Sequence, residues 1–241
     1  MQNNFIFLNK SLFFPAEGIL VIGDLHIGYE AMLRQLGLQI SIGLTKDIIN
    51  DLKLILEKIK AQYSLKKVIF IGDIKHLFSA EYEEKKAFFK ILNLIEKYIP
   101  SKEIILIKGN HDTFDFSGHE MKNYYIHKDI AFVHGHKDFK AIYSKKIKTI
   151  VMGHIHPSIR LTDKSKSEKF KCFLVGKFKN KTVIIVPSFF EVFEGTDVND
   201  YEHIYQDYFS IIPKKYLLKF NAFVVGEKNT AYDFGKVKDI N

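Results

Sequence analysis

Apolar runs that stop at a glycine and a polar residue are the feature that most constrains this sequence. GILVIGD, KVIFIGD and EIILIKGN each contain four apolar residues in succession before the chain turns polar. Between the first two runs, Ile48, Leu52 and Ile55 recur at helical spacing, so strands and helices are predicted to alternate. Such alternation is typical of a mostly parallel or mixed sheet with helices on both faces.

Short strands with few helical interruptions follow in the second half of the chain. IAFVHGH, KTIVMGH, SIRLTD, FKCFLVGKF and TVIIVPSFF all have this character. We therefore predict a second sheet that packs on the first as a sandwich, within one domain that spans residues 1–241. The part from about 195 to 241 is predicted to be an irregular appended segment of that domain.

The overall composition indicates a globular chain without a membrane partner. The 241 residues are 46% hydrophobic, which is ample for a buried core. No apolar run is long enough to span a bilayer, and the first residues lack the features of a signal peptide, so we expect a cytoplasmic protein. Cys172 is the only cysteine, which leaves neither an intramolecular disulfide nor a thiolate metal cluster.

Five polar motifs end the strands or follow them closely, namely GDLH, GDIKH, GNHD, VHGH and MGHIH. Each motif alone is also typical of an ordinary turn, or of a histidine that is hydrogen-bonded in the core. Together they would bring carboxylate, imidazole and amide groups to one edge of the sheets, where uncompensated burial costs roughly 2–7 kcal/mol per group. Two divalent cations would remove that cost. Oxygen and nitrogen ligands without sulfur favour Mn²⁺, with Fe²⁺ or Zn²⁺ as alternatives, over Ca²⁺.

The order of these motifs, D-x-H, G-D, G-N-H-D, H and G-H-x-H, resembles that of the calcineurin-like metallophosphoesterases. The motifs extend from Gly23 to His156, which is over half of the chain. The resemblance implies an α/β fold, the two-sheet αββα sandwich with mixed sheets and flanking helices, and two bound divalent metal ions. It assigns Asp24, His26 and His156 to a first metal, Asn110, His134 and His154 to a second, and Asp73 to both.

The resemblance also implies a reaction, which is hydrolysis of a phosphodiester bond by a hydroxide that bridges the two metals. His111 resembles the catalytic histidine of the family, and Asp112 is expected to orient its ring. His76 stands where many members have an aspartate, and it is interpreted either as a catalytic group or as a hydrogen-bonding neighbour of the ligands. The glycine before each ligand is expected to allow a sharp turn and to leave room for a phosphate.

Two further features narrow the resemblance. GHIHP, followed by VPSFFEVFEGTDVN, is similar to the archaeal ICC-like predicted phosphoesterases, which have bacterial relatives associated with DNA-repair ligases. The histidine at position 76 is shared with the double-strand-break repair nucleases of the superfamily. The histidine at position 76 favours a nucleic-acid substrate.

The positive charge of the chain is concentrated in one segment. Residues 140–181 contain twelve Lys or Arg against two acids, a net charge of +10, whereas the whole chain carries +8. This basic segment includes His154 and His156, so we expect it to line the approach of a polyanion such as nucleic acid. A solvated lysine-rich face is the ordinary alternative, and a smaller phosphodiester or nucleotide remains an equally good substrate. The sequence identifies no aromatic platform for stacking single strands.

A second class of function is a non-catalytic metal-binding scaffold or interaction module on the same fold. Retention of all seven expected ligands and of His111 favours an enzyme, although a structural metal site would also keep the ligands. The sequence therefore predicts a metal-dependent phosphoesterase that acts on a phosphate ester, with a phosphodiesterase or nuclease favoured over a monoesterase.

Overall fold

The structure is a computed structural model of the chain. It describes residues 4–37, 43–76, 81–112, 119–163, 166–192, 195–200, 209–226 and 230–240. The sequence predicts a polar hairpin tip in DKSKSEKF, residues 163–170, and its residues 164–165, like part of the appended segment, lie outside the described residues.

The first sheet contains six of the described strands in the order of the chain. These are β1 (Ile6–Leu8), β2 (Ser11–Phe14), β3 (Ile19–Ile22), β4 (Lys67–Phe70), β5 (Ile104–Ile107) and β6 (Met121–Lys122). The first three strands pair in antiparallel fashion around turns such as the one at Asn9, whereas β3 to β6 pair in parallel. Parallel neighbours place the ends of β3, β4 and β5 at the same edge of the sheet.

Three helices accompany the first sheet, α1 (Tyr29–Gln35), α2 (Leu44–Gln62) and α3 (Glu81–Ile95). The sequence predicts α2 to start at Thr45, which would cap the helix. In the structure α2 begins one residue earlier, and Gly43 occupies the N-cap position without a side-chain hydrogen bond. None of the helices in the described part of the chain is long and apolar enough to cross a membrane.

The second sheet contains nine of the described strands and the appended segment contributes to it. The strands are β7 (Tyr124–His127), β8 (Ile130–Val133), β9 (Thr149–Met152), β10 (Pro157–Asp163), β11 (Lys166–Phe178), β12 (Lys181–Ile185), β13 (Thr196–Asp197), β14 (Asn221–Val225) and β15 (Ala231–Lys236). Their order is β13-β10-β11-β12-β9-β8-β7, with β14 paired to both β11 and β15. Strands β8, β9 and β12 are parallel to one another, so their ends also share one edge.

The two sheets pack face to face, which confirms the predicted sandwich. Alternate residues of β3 and β4, including Val21 and Ile69, join Phe132 and Phe173 of the second sheet in one core cluster. Their neighbours in sequence, such as Phe70, face the opposite way and pack against α2 and α3 in another cluster. Burial of each such side chain contributes about 1.5–3 kcal/mol. The sandwich therefore holds both strand-end edges in a fixed relation.

Regular structure in the appended segment corrects the prediction that residues 195–241 are irregular. The described residues there form β13, β14, β15 and the short helix α4 (Lys214–Leu217). Ile212, Leu217 and Val237 are buried against the outer face of the second sheet. Irregularity was predicted because the strands are short and their identity depends on pairing with β10 and β11, which are distant in sequence.

Candidate metal centre

The expected ligands all follow strands that end at the shared edge. Asp24 and Asp73 lie after β3 and β4, and Asn110 lies after β5 in the first sheet. The backbone N–H groups of Leu25 and His26 both donate to the carbonyl oxygen of Asp73, at 3.1 and 2.9 Å. Because the two loops are joined in this way, the side chains that they carry converge on one point.

A first group of candidate ligand atoms comes from Asp24, His26, Asp73 and His156. One atom from each of these side chains lies within 4.8 Å of the others. Nε2 of His156 is 3.3 Å from Nε2 of His26 and 3.3 Å from Oδ1 of Asp24. Two carboxylates and two imidazoles at these distances form a donor set that suits a transition-metal cation.

A second group contains Asp73 again, together with His134 and His154, whose ligand atoms also lie within 4.8 Å of one another. Nε2 of His134 is 3.4 Å from Oδ2 of Asp73 and 3.1 Å from Oδ1 of Asn110. The structure thus brings together all seven expected ligands, and Asp73 belongs to both groups.

Backbone carbonyl groups fix which nitrogen each histidine of the second group presents. Nδ1 of His134 lies 2.7 Å from the carbonyl oxygen of Ile71, to which it can donate, so that Nε2 keeps its lone pair. Nε2 of His154 lies within hydrogen-bond distance of the carbonyl oxygen of Phe209, which leaves Nδ1 as the ring nitrogen that can bind a metal. Such partners hold a ligand ring in one tautomer and one orientation.

The electrostatics of the site fit bound cations. Burial lowers the pKa of His26 to about 3, with His156 adding to the effect, so the ring is neutral and able to bind a metal. Burial favours the neutral form of Asp73, but His134 outweighs it and holds the pKa of Asp73 below its usual range. Burial likewise opposes a charge on His134, yet Asp73 raises its pKa to about 9. A proton on His134 thus compensates the buried carboxylates, and a cation would replace it.

Asp24 offers a direct test of whether the residues fit a metal. Its carboxylate is fully buried, and no contact of Oδ1 with a described residue has the geometry of a hydrogen bond, although Nε2 of His156 lies 3.3 Å away. Oδ1 points between the two groups, 3.4 Å from Nδ1 of His134. An uncompensated carboxylate oxygen is costly in a protein interior, and a bound cation removes the cost. The donor set and this oxygen agree with the two divalent metals that the fold implies.

Four of the seven expected ligands have left-handed backbone conformations. The φ angles are 45° for His26, 44° for Asp73, 70° for His154 and 47° for His156. Residues with side chains rarely adopt this region, and such strain is concentrated at functional sites. The fold therefore accepts unfavourable backbone conformations in order to aim these side chains at one another.

Glycines at the site make room for the ligand side chains themselves. A Cβ atom on Gly109 would stand 2.1 Å from Oδ1 of Asp73, and one on Gly72 would stand 2.6 Å from Nδ1 of His134. A Cβ on Gly153 would come within 2.6 Å of Oδ2 of Asp24. The sequence suggested that these glycines leave room for a phosphate, whereas their nearest neighbours are the buried ligands.

His76 and His111 lie beside the first group with nearly parallel rings. Their ring centroids are 6.0 Å apart with an interplanar angle of 10°. Nδ1 of His76 is 3.4 Å from Nδ1 of His26, so His76 can accept a hydrogen bond from the His26 ring and hold it in the tautomer with its lone pair on Nε2. Burial lowers the pKa of His76, and the neighbouring His111 adds to this effect. The position of His76 agrees with the interpretation of a hydrogen-bonding neighbour of the ligands.

Asp112 makes different contacts from those expected. The sequence suggested that it orients the ring of His111, but its carboxylate accepts hydrogen bonds from backbone N–H groups. Oδ2 accepts from Gly109 at 2.9 Å, and Oδ1 accepts from Ile74 and Lys75 at 3.1 and 3.3 Å. Burial, together with Asp73, raises the pKa of Asp112 to about 6. The hydrogen bonds of Asp112 therefore join the loop after β5 to the loop after β4.

Sequence reasoning missed two groups that support the site. The Ser188 hydroxyl donates to the carbonyl oxygen of Asp24 at 3.1 Å and accepts from the N–H of Phe190 at 3.2 Å. Phe189 also donates its N–H to the same carbonyl, at 3.0 Å. The carbonyl of Phe209, described above, is the other group. A polar serine within the apolar run VPSFF was the one local signal for the first of them.

Part of the basic segment lies away from the candidate metal centre. Thr149 at the start of β9 pairs with Thr182 of β12, so Lys148, Lys179 and Lys181 lie at the end of the sheet opposite His154. The strand separates them by roughly 15 Å. Nearer the site, Arg160 and Lys169 are paired with Asp197 at 2.7 and 3.2 Å. These residues of the segment therefore do not line the approach to the site.

Comparisons with known proteins agree with this architecture. Residues 18–203 match the calcineurin-like phosphoesterase family. The fold is similar to that of the nuclease MPE from Pseudomonas putida, with a TM-score of 0.61, 18% identity, and coverage of 93% of this chain and 92% of that chain. A predicted phosphoesterase from Streptococcus pneumoniae aligns with 13% identity over 90% of this chain and 97% of that one, at a TM-score of 0.35. No curated protein sequence matches the chain.

The family match and the geometry point to the same class of protein. The matched region spans most of the chain and includes every strand-end motif described above. Its phosphate-ester chemistry requires a site of the kind that the two Asp and His groups form. The protein belongs to the calcineurin-like phosphoesterase family.

Proposed function

We propose that this chain is a phosphodiesterase that depends on two divalent metal ions, with Mn²⁺ preferred and with a nucleic acid or nucleotide as substrate. The observation that carries the proposal is the position of Asp73, which lies in both groups of candidate ligands. A carboxylate shared in this way can hold two cations side by side. When bound, the two cations would activate water as the nucleophile and neutralise charge on the phosphoryl oxygens.

His111 is the residue that we assign to the leaving group. Its ring is half-buried, with the centroid 5.5 Å from that of His26, which places it at the border of the first group. Its backbone N–H donates to Oδ1 of Asp73 at 2.9 Å, so the ring and the shared carboxylate are fixed relative to each other. A histidine in this position can donate a proton to the leaving oxygen as the ester bond breaks.

Two observations motivate a diester substrate of the nucleic-acid type. The neighbour from Pseudomonas putida, with which this chain shares its fold over nearly its full length, is a nuclease by name. His76 replaces the acidic residue that many members of the family carry, and it lies 3.4 Å from the candidate ligand His26. A neutral ring there adds no negative charge to a site that must accept a polyanion.

Hydrolysis assays on three kinds of substrate test the proposal. Bis-p-nitrophenyl phosphate, p-nitrophenyl phosphate and labelled single- and double-stranded DNA are each incubated with Mn²⁺ and protein. We expect cleavage of the diester to exceed that of the monoester, and His111→Ala to lower the rate by about 10²–10⁴-fold. His119→Ala is the matched control, because this histidine contacts Ser101 at 3.2 Å on the exposed surface and should not affect the rate.

The same assays separate the enzyme from the scaffold alternative. If the wild type is inert on every substrate while it still binds manganese, the chain is a metal-binding scaffold. If it cleaves the small diester but neither form of DNA, the nucleic-acid part of the proposal is wrong and a nucleotide or other small diester becomes the substrate.

A further inference from the structure

Phe209 is a large apolar side chain that remains exposed although its backbone is fixed at the candidate metal centre. Its side chain is 70% exposed. Single exposed aromatic residues are common on protein surfaces, so exposure alone indicates nothing. The contacts of its backbone distinguish Phe209 from an exposed ring such as that of Tyr82 on α3.

Hydrogen bonds tie the segment 209–212 to both histidine loops of the second group. The carbonyl oxygen of Phe209 accepts from Nε2 of His154. Two residues later, the N–H of Ile211 donates to the carbonyl oxygen of Gly135, at 3.0 Å, next to His134. Ile212 is fully buried in the core of the second sheet and anchors the segment. The backbone of Phe209 is thus held in place by its own carbonyl contact and by the contacts of the residues that follow it.

The ring of Phe209 consequently stands at a fixed place beside the second group. Its centroid is 6.4 Å from that of His154, and the two rings are nearly perpendicular at 89°. A nucleotide whose phosphate lies at the second group carries its base one sugar away, a length comparable to this separation. An exposed aromatic face at that distance is suited to stack on a base, because every base has a π-face.

We propose that Phe209 is a platform on which a nucleobase adjacent to the scissile phosphate stacks, which makes it a specificity-determining residue. The inference rests on the proposed nucleic-acid function and adds a site for the base to the site for the phosphate. Stacking of this kind is tolerant of sequence, so Phe209 would favour unpaired nucleotides over abasic phosphodiesters without selecting one base. Access to a base face also requires that the base be unstacked, which favours single strands over duplexes.

Binding measurements test the platform separately from catalysis. The inert variant His111→Asn is loaded with Mn²⁺, and its affinity for a fluorescein-labelled thymidine oligomer is compared by anisotropy with that for an abasic oligomer of equal length. We expect the thymidine oligomer to bind about tenfold more tightly. Addition of Phe209→Ala should abolish that preference and leave the affinity for the abasic oligomer unchanged.

Two substitutions and one control separate stacking from a structural role. Phe209→Trp should keep the preference, and Phe209→Leu, which retains an apolar side chain on the same backbone, should lose most of it. Tyr63→Ala removes a partly exposed ring that packs against Phe13, at the end of the first sheet opposite the ligand loops, and should change nothing. Manganese content is measured for each variant, and we expect the wild-type value in all of them, because the group that contacts His154 is a backbone carbonyl.

Three outcomes would overturn the platform. These are an unchanged preference in Phe209→Ala, full retention of the preference in Phe209→Leu, or no difference between the two oligomers in the parent variant. Failure of the proposed function itself gives a different result, since the wild type would then leave bis-p-nitrophenyl phosphate intact. If the protein cleaves the small diester but shows no preference for the thymidine oligomer, the proposed function stands and the proposed stacking site at Phe209 is wrong.

Discussion

Gly109 lies so close to Asp73 that a Cβ atom on the glycine would stand 2.1 Å from Oδ1 of Asp73 and 2.2 Å from the backbone nitrogen of Asp73. The carboxylate of Asp73, which both groups share, therefore packs directly against the backbone of Gly109. Asp112 secures the same contact, because its Oδ2 accepts a hydrogen bond from the N–H of Gly109 at 2.9 Å. The position of Asp73 depends on this glycine as much as on its own strand.

Gly109→Ala is expected to displace Asp73 and to weaken binding at both groups together. The added methyl group cannot be accommodated by rotation of a flexible side chain, because one of its nearest neighbours is backbone. Manganese titration should show that the variant binds manganese at least about tenfold more weakly than the wild type. This is the size of loss typical when a residue that supports a metal ligand is changed. Gly43→Ala is the control, since its Cβ would meet only Cβ of Lys46 at 3.7 Å. Equal affinity in the two variants would show that Asp73 does not depend on Gly109.

Ser188→Ala should destabilise the fold through the loop that carries Asp24. The variant loses the hydrogen bond to the carbonyl oxygen of Asp24 and the one from the N–H of Phe190, both of which are buried. We expect the free energy of unfolding to fall by about 1–3 kcal/mol in urea denaturation. Ser101→Ala removes an exposed hydroxyl and should change it by less than about 0.5 kcal/mol. A Ser188 variant as stable as this control would contradict the supporting role.

His76→Phe tests whether His76 acts through His26. Phenylalanine keeps a planar ring but cannot accept a hydrogen bond from Nδ1 of His26, which lies 3.4 Å from Nδ1 of His76. Loss of such a partner is expected to lower metal affinity by about 10–100-fold, and excess manganese should then restore the rate of diester hydrolysis. A lower rate that saturating manganese does not restore would instead make His76 a catalytic residue. His119→Phe serves as the control for replacement of a histidine elsewhere.

Burial of Lys171 gives the stability of the protein a pH dependence. Burial, with the nearby Lys10, lowers the pKa of Lys171 from 10.5 to about 7, while its amino group contacts the carbonyl oxygens of Ser188 and Phe190. The unfolded chain therefore binds more protons at this residue between about pH 7 and 10.5. Stability from this group consequently rises with pH in that window, by at most about 1.4 kcal/mol per pH unit.

Comparison with Lys171→Met isolates that contribution. Urea unfolding of both proteins at pH 7 and pH 9 should show a wild type that gains stability relative to the variant as the pH rises. Lys53→Met on the exposed surface of α2 is the control and should track the wild type. A difference between wild type and Lys171→Met that stays constant with pH would mean that Lys171 titrates normally.

The strand ends were predictable because their signals are local. Four apolar residues followed by a glycine and an acid, as at Asp24 and Asp73, indicate both the strand and the turn that ends it. The order of five such motifs was sufficient for the fold class and for the residues that the structure brings together at one edge. Periodicity within single segments indicates the strands, whereas the fold and the ligand residues were implied by the resemblance of the motif order to the calcineurin-like phosphoesterases.

The supporting contacts were not predictable because they join residues that are far apart in sequence. Phe209 reaches His154 across 55 positions, and Ser188 reaches Asp24 across 164. Nothing in the local pattern around either residue encodes its partner. The role of Asp112 was misassigned for the same reason, since adjacency to His111 in sequence suggested a contact that the loop geometry directs to backbone amides instead.

The charge pattern of the sequence did not predict where the basic residues lie relative to the metal centre. A segment with a net charge of +10 suggests one surface, but the hairpin between β11 and β12 places Lys177, Lys179 and Lys181 at the end of the sheet opposite His154. Net charge along a sequence is therefore informative about a surface only after the register of the strands is known.

The central claim is that one carboxylate, that of Asp73, holds two metal ions, and counting the ions tests it most directly. Protein equilibrated with Mn²⁺ and passed through a desalting column is analysed by inductively coupled plasma mass spectrometry, with Asp73→Asn and the surface variant Asp129→Asn alongside. We expect two manganese ions per chain in the wild type and in Asp129→Asn, and fewer than one in Asp73→Asn, because Asp73 belongs to both groups. A wild type with a single ion, or an Asp73→Asn variant that keeps two, would contradict the account.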